Sequence, residues 1–129
     1  MMQEKRALQA IVSVLAAVPV MAGLAGVVMG PAFLKTPQPW PADLDSHFRF
    51  LSGVFLAVGV AWYSCVPHIE TRTNRVRLLG AITVSGGAAR LVSLVLAGAP
   101  SAGHIYGLAA ELIAVPLLIL WQRRIARSA

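Results

Sequence analysis

Four long apolar runs, separated only by short connections, constrain this chain more than any other feature. They cover residues 7–29, 45–66, 76–97 and 102–121. One crossing of a bilayer core takes about 20 apolar residues as a helix, so four such runs leave no room for a soluble domain. Composition agrees, because a chain that is 57% hydrophobic and 12% charged, with a mean hydropathy of +0.73, lacks the polar surface that water demands. The expected fold is an all-α membrane protein, an antiparallel up-and-down four-transmembrane-helix bundle forming a single domain over residues 1–129.

The net charge of +6 could suggest nucleic acid, but its distribution argues for topology instead. Lys5 and Arg6 precede the first run; Arg72, Arg75 and Arg77 lie between the second and third; Arg123, Arg124 and Arg127 follow the fourth. The first connection holds only Lys35 and the third holds no basic residue. The positive-inside rule therefore puts both termini in the cytoplasm, and the expected location is a bacterial inner membrane. A charged start followed by an apolar stretch also fits a signal peptide, but this run exceeds the usual h-region of about 7–15 residues, so a retained helix is expected. Cys65 is the lone cysteine, which excludes a disulfide framework or thiolate cluster and reads as packing in an apolar helix.

Proline and glycine mark the breaks. Prolines at 31, 37, 39 and 41 make the stretch 30–43 an extended loop, with Phe33 and Trp40 suited to the headgroup level. A lid over a site is the alternative for that loop. Pro19 should bend the first helix. Asp43, Asp45 or Ser46 is expected to cap the second. The connection from Pro67 to Arg77 is short and basic, with His68 and Glu70 assigned to the surface. Helix association without a hydrophobic driving force needs small residues, and these recur every fourth position: Ala22, Gly26 and Gly30; Gly53, Ala57 and Ala61; Ala81, Ser85, Ala89, Ser93 and Ala97; then Gly103 and Gly107.

Against this apolar background a few polar residues stand out. Arg90 and Glu111 flank the Ala-Pro-Ser turn, and at about 1.5 Å of rise per residue both lie roughly 12 Å from it. Intramembrane charges are costly unless paired or functional. With the topology above, Arg49, Arg90 and Glu111 all fall in the outer half and can converge, with Asp45, His47, His104 and Tyr106 nearer the outer surface. Arg49 follows Asp45 by four residues, so a local ion pair is the simpler reading of that position. Two arginines against one glutamate leave a positive charge over, which Asp45, a lipid phosphate or a small anionic ligand could balance. An ion-pair latch that fixes helix register is the alternative to a ligand site.

Motifs of enzymes are thin. There is no GxSxG elbow, no GxxxxGK[ST] loop and no HExxH. Glu111 with His104 two turns away could supply an acid or base, but nothing else supports an enzyme, and no catalytic residue, cofactor or metal is assigned. A metal held by His47, His104 and Glu111 has no spacing signature.

The segments LDSHFRFLSGVFLAVG, PHIE, GGAARLVSLVLAGAPS and ELIAVPLLILWQRR, in that order, resemble a bacterial family of small four-helix membrane proteins known as a domain of unknown function. The resemblance covers about residues 8–124 and rests on Asp45, His47 and Arg49, the Gly-Gly-x-x-Arg ending at Arg90, the turn at Pro100, and Glu111 with Pro116. It implies the fold and carries no activity. The expected function is binding of an anionic lipid or small metabolite in an outward-facing pocket of Arg49, Arg90, Glu111, His104, His47, Asp45 and Tyr106. The alternatives are an accessory subunit of a larger membrane complex, using partner helices or further copies of the chain, and a small enzyme acting on a lipid-like substrate through Glu111.

Overall fold

The computed structural model describes residues Met1–Ala129 and contains helices and turns with no strand. The helices are α1 (Met2–Met29), α2 (Ala42–Tyr63), α3 (Thr73–Ala97), α4 (Ala102–Ala109) and α5 (Val115–Ser128). A π-helical turn, Ala110–Ala114, joins α4 to α5. Four segments, Met2–Leu34, Ala42–Tyr63, Thr73–Ala97 and Ala102–Ser128, are long and apolar enough to cross a membrane. Their outward side chains agree with lipid as the solvent: Leu96 is 81% exposed, Val95 77% and Val14 70%.

Contacts divide the chain into two compact units. The first, Ala10–Val66, is an antiparallel hairpin of α1 on α2. Positions late in α1 meet positions early in α2, and the reverse: Gly26 faces Ser52, Gly23 faces Leu56, and Val20 faces Gly59. The approach at Gly23 is so close that an added Cβ would lie 2.5 Å from the Leu56 backbone nitrogen. Only glycine fits there. By contrast Gly53 would place a Cβ 3.9 Å from Val27, so the close contact of α2 is Gly59 and not the expected Gly53 stripe. α1 runs unbroken through Pro19, whose ring lies against Gly59.

The second unit comprises Met1–Gln9 and Pro67–Ala129. Here α3 packs antiparallel against the π-turn and α5: Gly80 meets Val115 and Ile119, and Gly87 meets Glu111 and Leu112. The packing face of α3 is Val76, Leu79, Gly80 and Gly87, all buried, whereas Ala81, Ser85, Ala89, Ser93 and Ala97 are exposed. The expected α3 stripe thus faces outward, because the residues that need the close approach lie on the neighbouring face. Gln122, 1% exposed, ties the base of this unit together by donating to the Ile69 carbonyl at 2.8 Å and to Thr73 Oγ1 at 3.0 Å.

Several boundaries differ from expectation. Residues 30–43 are not wholly extended: Gly30–Leu34 forms a 3-10 turn, started by Gly30 at φ +62. α2 begins at Ala42 with Pro41 at its N-cap and no side-chain cap, so Asp43 and Asp45 lie in its first turn, where the helix dipole favours acids without a capping bond. It ends at Tyr63, and Val66–Thr71 is a further 3-10 turn. The last span continues to Ser128 rather than 121. Glu70 is not a plain surface residue, since it accepts from Lys5 Nζ at 2.8 Å and its side chain is 18% exposed.

Candidate functional site

The polar residues singled out by the sequence form two clusters, one in each unit. In the first unit all three guanidinium nitrogens of Arg49 have structural partners. Its Nε and Nη2 donate to the two Asp45 carboxylate oxygens at 2.9 and 3.2 Å, a fork that suits a carboxylate. Its Nη1 donates to the Val27 and Val28 carbonyls, left free where α1 stops at Gly30. Arg49 therefore closes the end of α1 and ties it to α2. Trp40 Nε1 adds a 3.4 Å bond to Asp45 Oδ1, which fastens the proline-rich connection onto the same pair. The positive charge that seemed surplus in the sequence is balanced by Asp45. His47, two positions along the helix from Asp45, is exposed.

The cluster in the second unit begins with Pro116. Proline has no N–H to give to the carbonyl of Leu112, so one bond of the α-helical ladder is missing here, a gap that α1 absorbs at Pro19 without changing its form. The chain widens instead: Val115 N–H bonds to the Ala110 carbonyl, five residues back, and Ala110–Ala114 becomes a π-turn. Glu111 sits at its start, 9% exposed. Opposite it is Gly87, where an added Cβ would lie 2.8 Å from both Glu111 Cβ and Leu112 Cδ2. One helical turn beyond Gly87, Arg90 donates from Nε to Glu111 Oε1 at 3.0 Å. Gly-x-x-Arg is thus one device, a space for the acid followed by a cation for it; the preceding Gly86 has nothing within 4 Å of its Cβ position.

His104, on α4, completes the cluster with Nδ1 2.9 Å from Arg90 Nη1. The guanidinium can only donate, so Nδ1 accepts and the imidazole is neutral with its proton on Nε2. Gly98, at φ +88, ends α3 and lets the chain reverse through Pro100, which brings α4 back beside Arg90. The result is a cavity of about 200 Å³ lined by Arg90, Ser93, Leu94, Pro100, His104 and Leu108. Its polar side chains are Arg90, Ser93 and His104, with no carboxylate among them, and Arg90 Nη2 has no partner within the unit. Glu111 stands behind Arg90 and does not line it.

Arg90, Glu111 and His104 are therefore brought together as the spacing suggested, and Ser93 joins them unforeseen. Its signal was present, since it follows Arg90 by three residues on one helix face. Tyr106 is 77% exposed, two positions from His104 and so on another face of α4. Gly103 and Gly107 have open space at their Cβ positions. No group of three or more His, Cys, Asp or Glu side chains is gathered where it could hold a metal ion.

Residues 7–122 match the family model DUF4345, a domain of unknown function. The chain belongs to that family. The DUF4345 match spans both hairpins and so includes every residue of the two clusters. No curated protein and no solved structure matches the chain.

Proposed function

We propose that the protein binds an anionic group, a lipid phosphate or a small anionic metabolite, in the cavity between α3 and α4. The observation that carries this reading is the lining itself: its polar side chains, Arg90, Ser93 and His104, can each donate and include no carboxylate, and the Leu94, Pro100 and Leu108 walls suit the apolar start of a lipid tail. An arginine held through Nε by Glu111 and through Nη1 by His104 has its guanidinium plane fixed, which lowers the ordering cost of binding. With both termini cytoplasmic, as the basic residues argue, the cavity opens toward the outer leaflet of a bacterial inner membrane. Asp45 and Arg49 contribute through the fold rather than through the ligand.

Native mass spectrometry on protein released in mild detergent tests this. The expected result is an anionic adduct on the wild-type chain that is lost in Arg90→Gln. A wild-type chain that flies bare under conditions preserving other lipid adducts would overturn it.

The accessory-subunit reading has one observation in its favour: Gly86, Gly103 and Gly107 present backbone with nothing packed at their Cβ positions. Crosslinking in membranes tests it, and recovery of the chain alone would count against it. For an enzyme acting through Glu111 the geometry offers less, because Arg90 separates the carboxylate from the cavity.

A further inference from the structure

We infer that an anion enters the Arg90 cavity together with a proton, and that His104 Nδ1 receives that proton. The inference rests on the reading above, since it concerns the same cavity.

Charge balance sets the problem. In the unliganded cluster Arg90 is neutralised by Glu111, at 3.0 Å, and His104 is neutral because its Nδ1 accepts from Arg90 Nη1. An anion arriving alone would leave one negative charge in excess in a half-buried cluster, where solvent screens it less than in open water. A proton arriving alone at Nδ1 would turn the acceptor into a donor and set two cations 2.9 Å apart. Each event is unfavourable without the other. Together they cancel: a proton taken from water at the mouth binds Nδ1, the Arg90 Nη1–H loses its acceptor and turns to the anion, and His104 and Arg90 hold the anion between them. By linkage, the affinity for the anion rises as pH falls.

The surrounding groups leave His104 as the site of this exchange. On α3 the facing charged residue is Arg90, and on the π-turn it is Glu111, acting through Arg90. The turn Gly98–Ser101 carries no titratable side chain. On α4 itself Tyr106 is 77% exposed and on another face. The charged residues of α5, Arg123, Arg124 and Arg127, begin 19 positions further along, about 28 Å at helical rise. His104 is half-buried beside the cavity, so water can deliver the proton.

The chain has three histidines, which makes nitrogen NMR of histidine-labelled protein in nanodiscs a direct test. The probe is a phosphodiester whose charge is constant near neutral pH, offered as short-chain phosphatidylglycerol and, separately, as its soluble headgroup glycerophosphoglycerol. At pH 7 the expected result is that one imidazole, the one missing in His104→Gln, passes from neutral to doubly protonated as the probe saturates. Affinity should rise by up to about tenfold per pH unit of acidification through the neutral range. Saturation by the lipid but not by the headgroup identifies a lipid site; saturation by both identifies a site for free anions, and the proton inference stands in either case if His104 gains its proton. Probe binding with His104 still neutral overturns the inference and leaves the anion site standing. Failure of both probes to bind at any pH from 5.5 to 8 overturns the anion site and the inference with it.

Discussion

The two arginine–carboxylate pairs use similar chemistry and reach different ends. Asp45 and Arg49 are four residues apart on one helix, and the guanidinium spends its donors on both carboxylate oxygens and on the two free carbonyls at the end of α1. Arg90 and Glu111 are brought together across a turn and bond through Nε alone, while Nη1 meets His104 and the residue lines a cavity. A closed fork holds helices; an open one also offers donors. The difference comes from the backbone around each pair, a helix end in one case and a π-turn opposite a glycine in the other.

The comparison can be broken by steric means first. Gly87→Leu drives a side chain into Glu111 and Leu112, where even a Cβ would be 2.8 Å away, so the second hairpin should lose about 3 kcal/mol or more in a denaturant titration. Gly53→Ala in the first hairpin, with 3.9 Å of room, should cost less than about 1 kcal/mol. Equal losses would mean that the glycines do not set the close approaches.

Next comes Arg49→Gln. It strands the Val27 and Val28 carbonyls and the Asp45 carboxylate, and should cost about 1–3 kcal/mol of stability while leaving anion binding intact. Glu111→Gln sharpens the contrast from the other side. With its partner neutral, Arg90 retains a full charge toward the cavity, so anion affinity should rise or hold in a binding titration while the hairpin weakens. A variant that keeps its stability and loses binding would make Glu111 a direct ligand contact.

The smallest effect belongs to Glu70, outside the spans. The hydrogen bond from Lys5 holds its carboxyl below the ordinary range, helped by a backbone bond. A carboxylate with a depressed value contributes stability at neutral pH and loses it as pH falls through the folded-state value, below 4.5. Acid titration of unfolding should show this step, worth less than about 1 kcal/mol, in the wild type and not in Glu70→Gln.

Much of this architecture is legible in the sequence because lipid leaves few options: span lengths, basic connections and the depth of Arg90 and Glu111 follow from hydropathy and helical rise. Less legible is which residue answers which. Small residues at every fourth position identify helices able to pack closely, but not the packing face, which on α3 is Gly80 and Gly87 rather than Ala81 to Ala97. Asp45 suited a cap by type and instead holds Arg49, since its neighbour one turn on competes for the carboxylate. The π-turn escaped notice although Pro116, five residues after Glu111, was its signal; a missing N–H removes one bond from the ladder without saying whether the helix runs on, as at Pro19, or widens, as here.

The most direct measurement is binding of glycerophosphoglycerol and short-chain phosphatidylglycerol to Arg90→Gln and Arg49→Gln side by side, each with its folded fraction determined. The expected result is that folded Arg90→Gln binds neither probe while folded Arg49→Gln binds as the wild type does. Undiminished binding by Arg90→Gln, or loss of binding confined to Arg49→Gln, would contradict the assignment of the cavity beside Arg90 as the site.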